Sequence, residues 1–154
     1  MKTLILSIGN PILGDDGIGF HVAKQLAKRI NDENIDVMAA NTSGLGLLGN
    51  IAGYDKVIII DAVETESGDI GRIYKLGLED LVNTVSQASW PHGINFATAI
   101  EVGKKLLAEQ MPKEIVIFAI EIDPVLKFTE EMTERVKGII PKVVNLVLDE
   151  IGST

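Results

Sequence analysis

The chain has 154 residues, 46% hydrophobic and 23% charged, and 22 acids against 14 bases leave a net charge of −8. That length suits one domain, residues 1–154, with a core that needs no staples, and the acidic balance argues against nucleic acid or an anionic membrane as partner. With no cysteine, disulfides, thiolate zinc sites and cysteine nucleophiles are excluded.

The first apolar run, Thr3 to Ile8, reads as a buried strand stopped by Gly9-Asn10-Pro11. It is too brief for a signal peptide, and no run approaches the ~20 apolar residues that cross a bilayer. A cytoplasmic protein is expected, and nothing calls for more than a monomer. A short loop then reaches Asp15-Asp16 and an amphipathic segment with Ile18, Val22, Leu26 and Ile30 at helical spacing. The spacing predicts a helix from Asp15 or Asp16 that ends with Lys28 and Arg29, where cations suit the dipole. His21, among Lys24, Gln25 and Lys28, is expected to face solvent.

Ile35 to Ala40 reads as a second strand, and Leu45, Leu47, Leu48 and Ile51 as a short helix. Val57-Ile58-Ile59-Ile60 is a β-branched run without alternation, as in a parallel strand covered on both faces, and it is expected to end at Asp61. Ile70 to Leu76 alternates like a strand near an edge, and Leu78 to Ala88 is part helix, part loop. Trp90-Pro91-His92-Gly93 breaks the pattern before a helix with Phe96, Ala97, Ala99, Ile100, Gly103, Leu106 and Leu107 on one side and a Glu101–Lys105 pair on the other. Ile115 to Ile120 is a further buried strand. Thr129 is the expected N-cap of a last helix, with Glu130 and Glu131 in its first turn; Pro141 should kink or interrupt that helix.

This alternation predicts an α/β fold: a single-domain three-layer sandwich with a mostly parallel five-stranded sheet and helices on both faces. In open sheets of this kind, ligands bind beyond the carboxyl ends of strands, where the strand order reverses. If the first strand lies between the second and third, Asp16 and Asp61 face each other across one crevice.

Paired acids at a helix start need explaining, because one side chain suffices for a cap. They also repel the phosphate that such an end otherwise attracts. The glycines nearby form neither G-x-G-x-x-G nor G-x-x-x-x-G-K-[ST]. The loop looks built for a cation. There is no H-E-x-x-H, G-x-S-x-G, Asp-Thr-Gly or Asp-Ser-Gly to suggest a familiar hydrolase. His92, in a Pro-His-Gly loop, answers no packing need. Asp16, Asp61 and His92 therefore form a two-carboxylate, one-imidazole set of the kind that nickel or zinc accepts. Ordinary roles remain open for two of them: Asp61 capping a turn, and His92 bonding the backbone. Glu121 is a further acid at the same expected edge.

The stretch Gly9-Asn10-Pro11-Ile12-Leu13-Gly14-Asp15-Asp16-Gly17-Ile18-Gly19, followed by Ile60-Asp61-Ala62 and Pro91-His92-Gly93, resembles the hydrogenase maturation proteases. These endopeptidases trim the C-terminus of the large subunit of nickel-iron hydrogenases. The resemblance covers nearly the whole chain. It implies that Asp16, Asp61 and His92 are the catalytic, metal-engaging residues, and that they engage nickel already inserted in the large-subunit precursor. Nickel then belongs to the substrate and licenses the cut, polarising the scissile carbonyl or activating water. Where the family often has an Asp-Gly-Gly-Thr-like turn, this chain has Ala39-Ala40-Asn41-Thr42-Ser43-Gly44, which lacks the acid. Two other readings compete. A non-catalytic maturation factor that senses the metal centre or holds the precursor needs the same residues. A nucleotide-binding enzyme needs phosphate-cradling glycines and, for NAD, an acid where Ala40-Asn41 stand.

Overall fold

A computed structural model describes residues 1–41, 45–65, 68–80, 88–89 and 93–152. In chain order its strands are β1 (Thr3–Ile8), β2 (Ile35–Ala40), β3 (Lys56–Thr65), β4 (Ile73–Gly77), β5 (Ala88–Ser89) and β6 (Glu114–Glu121). The helices are α1 (Ile18–Arg29), α2 (Gly46–Ile51), α3 (Gly93–Leu106) and α4 (Glu134–Gly152). The main sheet runs β2-β1-β3-β6-β4, and β5 adds a short pairing to β3. The ladders β1–β2, β1–β3 and β3–β6 are parallel; the edge strand β4 runs antiparallel to β6, and β5 antiparallel to β3. The expected order, with β1 between β2 and β3, is the one observed.

Strand alternation sorts the core into two layers. Ile5, Ile58 and Ile60 turn toward Val22 and Leu26 of α1 and Val136, Val143 and Val147 of α4. Leu4, Leu6, Val57 and Ile59 turn toward Leu47 and Ile51 of α2 and Ile100 of α3. Fully burying a Val or Leu side chain stabilises by roughly 1.5–3 kcal/mol. This packing holds α2, which at 6 residues is too short to persist alone. Among the described residues no helix is long and apolar enough to cross a membrane.

Three boundaries differ from the sequence reading. A 3-10 turn, Gly14–Gly17, precedes α1, and neither Asp15 nor Asp16 caps the helix. Thr129 does not cap α4, because its backbone is committed elsewhere: its N–H donates to the Ile12 carbonyl (2.7 Å) and its carbonyl accepts from Gly14 N–H (2.8 Å). The helix therefore starts only at Glu134. Pro141 does not interrupt α4, which runs for 19 residues. Ile140, Val143 and Val144, buried on either side, hold the helix together across the missing donor.

At the amino end of the sheet, Lys56 is buried and its Nζ lies 3.0 Å from Glu150 Oε1 and 3.5 Å from Glu114 Oε1. Lys75 Nζ approaches the other Glu150 oxygen at 2.7 Å. Burial pushes the Glu150 carboxyl up, but hydrogen bonds and charge from Lys75 and Lys56 outweigh it and hold the group below the usual carboxylate range. This cluster ties β3 and β4 to α4 at the end of the sheet away from the Asp16 loop.

Candidate functional site

The first loop is shaped by two close approaches. Gly9 leaves β1 at φ +141°, and a Cβ there would run into the backbone carbonyl of Asp16. At the start of α1, a Cβ on Gly19 would lie 2.9 Å from the Ile60 carbonyl oxygen and 3.1 Å from Ser7 Cβ. The absence of side chains at both positions lets the 3-10 turn sit directly over the carboxyl ends of β1 and β3.

Within that turn, the two neighbouring acids serve different ends. Asp15 is buried, and its carboxylate accepts hydrogen bonds from Thr133 N–H and Thr133 Oγ1, both at 2.8 Å. Asp16 is half-buried, and its Oδ2 accepts from Asn10 N–H at 2.9 Å. One carboxylate oxygen of Asp16 is thus fixed by the preceding turn. The other makes no hydrogen bond among the described residues.

Asp61 is fully buried on β3, and its Oδ1 accepts from Ala62 N–H at 2.8 Å. It shares strand parity with Val57, Ile59 and Val63, and so belongs to the α2/α3 side of the sheet. Asp61 does not end the strand as expected. The ladder continues against β6 to Val63↔Glu121 and against β5 through Glu64↔Ser89 and Thr65↔Ala88. The β1 ladder does stop here, at Ser7↔Ile60, one residue before Asp61. Asp16 is therefore borne on the turn that follows β1, and Asp61 on the neighbouring parallel strand β3, one residue beyond the end of the β1 ladder. A turn-capping role for Asp61 falls away, since the strand passes through it.

Glu121 reaches the same edge. It is fully buried, shares the parity of Ile117 and Ala119 on the α2/α3 side, and accepts a hydrogen bond from Tyr74 Oη at 2.6 Å. His92 lies outside the described residues, as do Thr42, Ser43 and Gly44. Among the described residues no group of three or more His, Asp or Glu side chains is placed to hold a metal.

His21 is not the solvent-facing residue its neighbours suggest. Its Nε2 is closed off from solvent and has no hydrogen-bond partner among the described residues. Burial, followed by the charges of Lys24 and Lys137, holds its pKa below the ordinary histidine value. It lines a cavity together with Glu130 of the segment before α4 and Glu134 and Lys137 of α4 itself. Nothing in the local sequence of α1 signals a contact made that far along the chain.

This is a doubly wound α/β protein whose switch point carries acids on neighbouring strands and no phosphate-cradling glycine motif. The model of the HycI family, hydrogenase maturation protease, matches residues 20–150; the chain belongs to that family. The matched span contains Asp61 and His92 and begins just after Asp16. The chain is 23% identical over 147 residues to the Hydrogenase 2 maturation protease of Escherichia coli (strain K12), covering 93% of this chain and 88% of that one. Its fold is similar to that of the hydrogenase maturating endopeptidase HybD from E. coli, with a TM-score of 0.86 at 25% identity, covering 99% of this chain and 93% of that one. It is also similar to that of the [NiFe] hydrogenase maturation protease HybD from Thermococcus kodakarensis, with a TM-score of 0.79 at 21% identity over 97% and 98% of the two chains.

Proposed function

We propose that this protein is an endopeptidase that removes the C-terminal extension of a nickel-iron hydrogenase large-subunit precursor after nickel insertion, with Asp16, Asp61 and His92 engaging that nickel. The observation that supports the reading is the seating of Gly19 on the carbonyl of Ile60, the residue before Asp61, which lays the turn that bears Asp16 over β3. The half-anchored Asp16 carboxylate fits it: one oxygen bound to Asn10 sets the orientation, and the second can face a cation.

The pairing of β5 supports a place for His92 in the set. Ser89 stands opposite Glu64 on an antiparallel ladder. Asp61 lies three residues back from Glu64, and His92 three residues on from Ser89. At roughly 3.3 Å per residue, the chain from Ser89 has the length to bring an imidazole alongside Asp61. Carboxylate and imidazole are both accepted by a borderline ion such as nickel.

Nickel here arrives as part of the substrate. The protein's residues grip it from outside the precursor's own ligands, which fixes the nearby C-terminal peptide bond in the crevice. Hydrolysis forms a bond from water oxygen to the scissile carbonyl carbon and breaks the C–N bond, and the proton ends on the released amine. A precursor without nickel offers nothing to grip and is left uncut. Mass spectrometry of the precursor with and without nickel, incubated with this protein, tests the reading: only the loaded form should lose its tail.

A further inference from the structure

Between β6 and α4 the chain carries its two most exposed large apolar side chains among the described residues, Leu126 at 94% and Phe128 at 79% exposure. Single exposed apolar residues are ordinary; these stand on a segment pinned to the candidate site. Thr129 N–H donates to Ile12 and its carbonyl accepts from Gly14, while Thr133 donates twice to Asp15. The parallel bridge Leu13↔Thr129 sets Ile12, itself 44% exposed, beside Phe128. A groove of about 650 Å³ opens beside Leu126, lined also by Val125, Met132, Thr129, Gly14 and Asp15.

We infer that Ile12, Leu126 and Phe128 are the docking surface for an apolar segment of the large-subunit precursor that adjoins its metal centre. The inference rests on the function proposed above. Its ground is continuity: Gly14 and Asp15, which line the groove, directly precede Asp16. A client whose nickel reaches Asp16 comes up to the turn whose first residues line the groove. A net charge of −8 opposes both a second copy of the chain and an anionic lipid surface. Apolar anchors at the centre of a protein contact carry most of its affinity.

The test measures binding of nickel-loaded precursor to the full chain by calorimetry, together with KM and kcat for tail release. The double variant L126S/F128S should weaken binding and raise KM by at least about tenfold, with kcat within twofold and an unchanged melting temperature. F128L, which keeps the apolar surface, should bind like the unaltered chain. Equal affinity of L126S/F128S and the unaltered chain overturns the inference, as does a dimer that the double variant dissolves. Patch-dependent binding without tail release upholds the docking surface and overturns the peptidase reading. Cleavage indifferent to the patch does the reverse. Absence of any binding overturns both.

Discussion

The Asp15 carboxylate accepts two hydrogen bonds from Thr133, one from its backbone N–H and one from its hydroxyl, across a separation of 118 residues. Its neighbour Asp16 turns back to Asn10 instead. One acid fastens the residues before α4 to the first loop; the other is oriented by that loop. Stability and activity should therefore separate across a single peptide bond. Hydrogen bonds to charged groups contribute about 1.5–3 kcal/mol each. Asp15→Asn should thus lower the melting temperature by several degrees, measured by circular dichroism. Asp16→Asn, whose amide oxygen still accepts from Asn10, should melt within about a degree of the unaltered chain while losing tail release.

Gly19 offers a second separation. Gly19→Ala places a methyl 2.9 Å from the Ile60 carbonyl, so α1 and its preceding turn must shift away from β3. Overpacking of this kind costs about 1–3 kcal/mol, and the displaced turn should also slow cleavage. At Gly138, in the exposed part of α4, an added methyl would meet nothing within 4 Å beyond the helix's own backbone. Gly138→Ala should stabilise by about 0.5–1 kcal/mol and leave cleavage unchanged. Chemical denaturation of both variants, read beside their activity, checks the contrast.

The Glu150 cluster should govern part of the acid sensitivity. The folded-state pKa of this carboxyl is depressed, so its stabilising contribution is present above the unfolded-state pKa and is lost as pH falls through the folded value. Glu150→Gln should flatten the stability profile below about pH 4.5. It should also cost about 1–3 kcal/mol at neutral pH, because it leaves the buried Lys56 ammonium with the more distant Glu114 carboxylate at 3.5 Å. Lys56→Met should cost less, since Lys75 at 2.7 Å still pairs with Glu150. Urea titrations at several pH values give both comparisons.

What could be read from sequence follows how local the causes are. Thr3–Ile8 and Ile35–Ala40 form strands with the bounds their apolar patterns give. The β-branched run of β3 announces a strand covered on both faces, and the doubled acid announces that a cap is not the whole explanation. Where a contact partner lies far along the chain, no window of neighbouring residues carries the signal. The pairing of Asp15 with Thr133 is of this kind, as are the closure over His21 and the burial of Lys56 against Glu150. Asp61 falls between the two cases. Its residue type is apparent at once, but its position inside β3 depends on β5 and β6 prolonging the ladder past β1. The same holds for Thr129, whose Oγ1 accepts from Glu131 N–H but whose carbonyl is taken by Gly14 instead of by a helix.

The nickel grip itself is tested most directly by intact-mass analysis of a nickel-loaded large-subunit precursor, incubated with the unaltered chain, with Asp16→Asn and with His92→Ala. The account predicts loss of the C-terminal extension with the unaltered chain, a rate at least about a hundredfold lower with either variant, and no cleavage of the nickel-free precursor. Cleavage of the metal-free precursor at the same rate, or full activity in both variants, would contradict it.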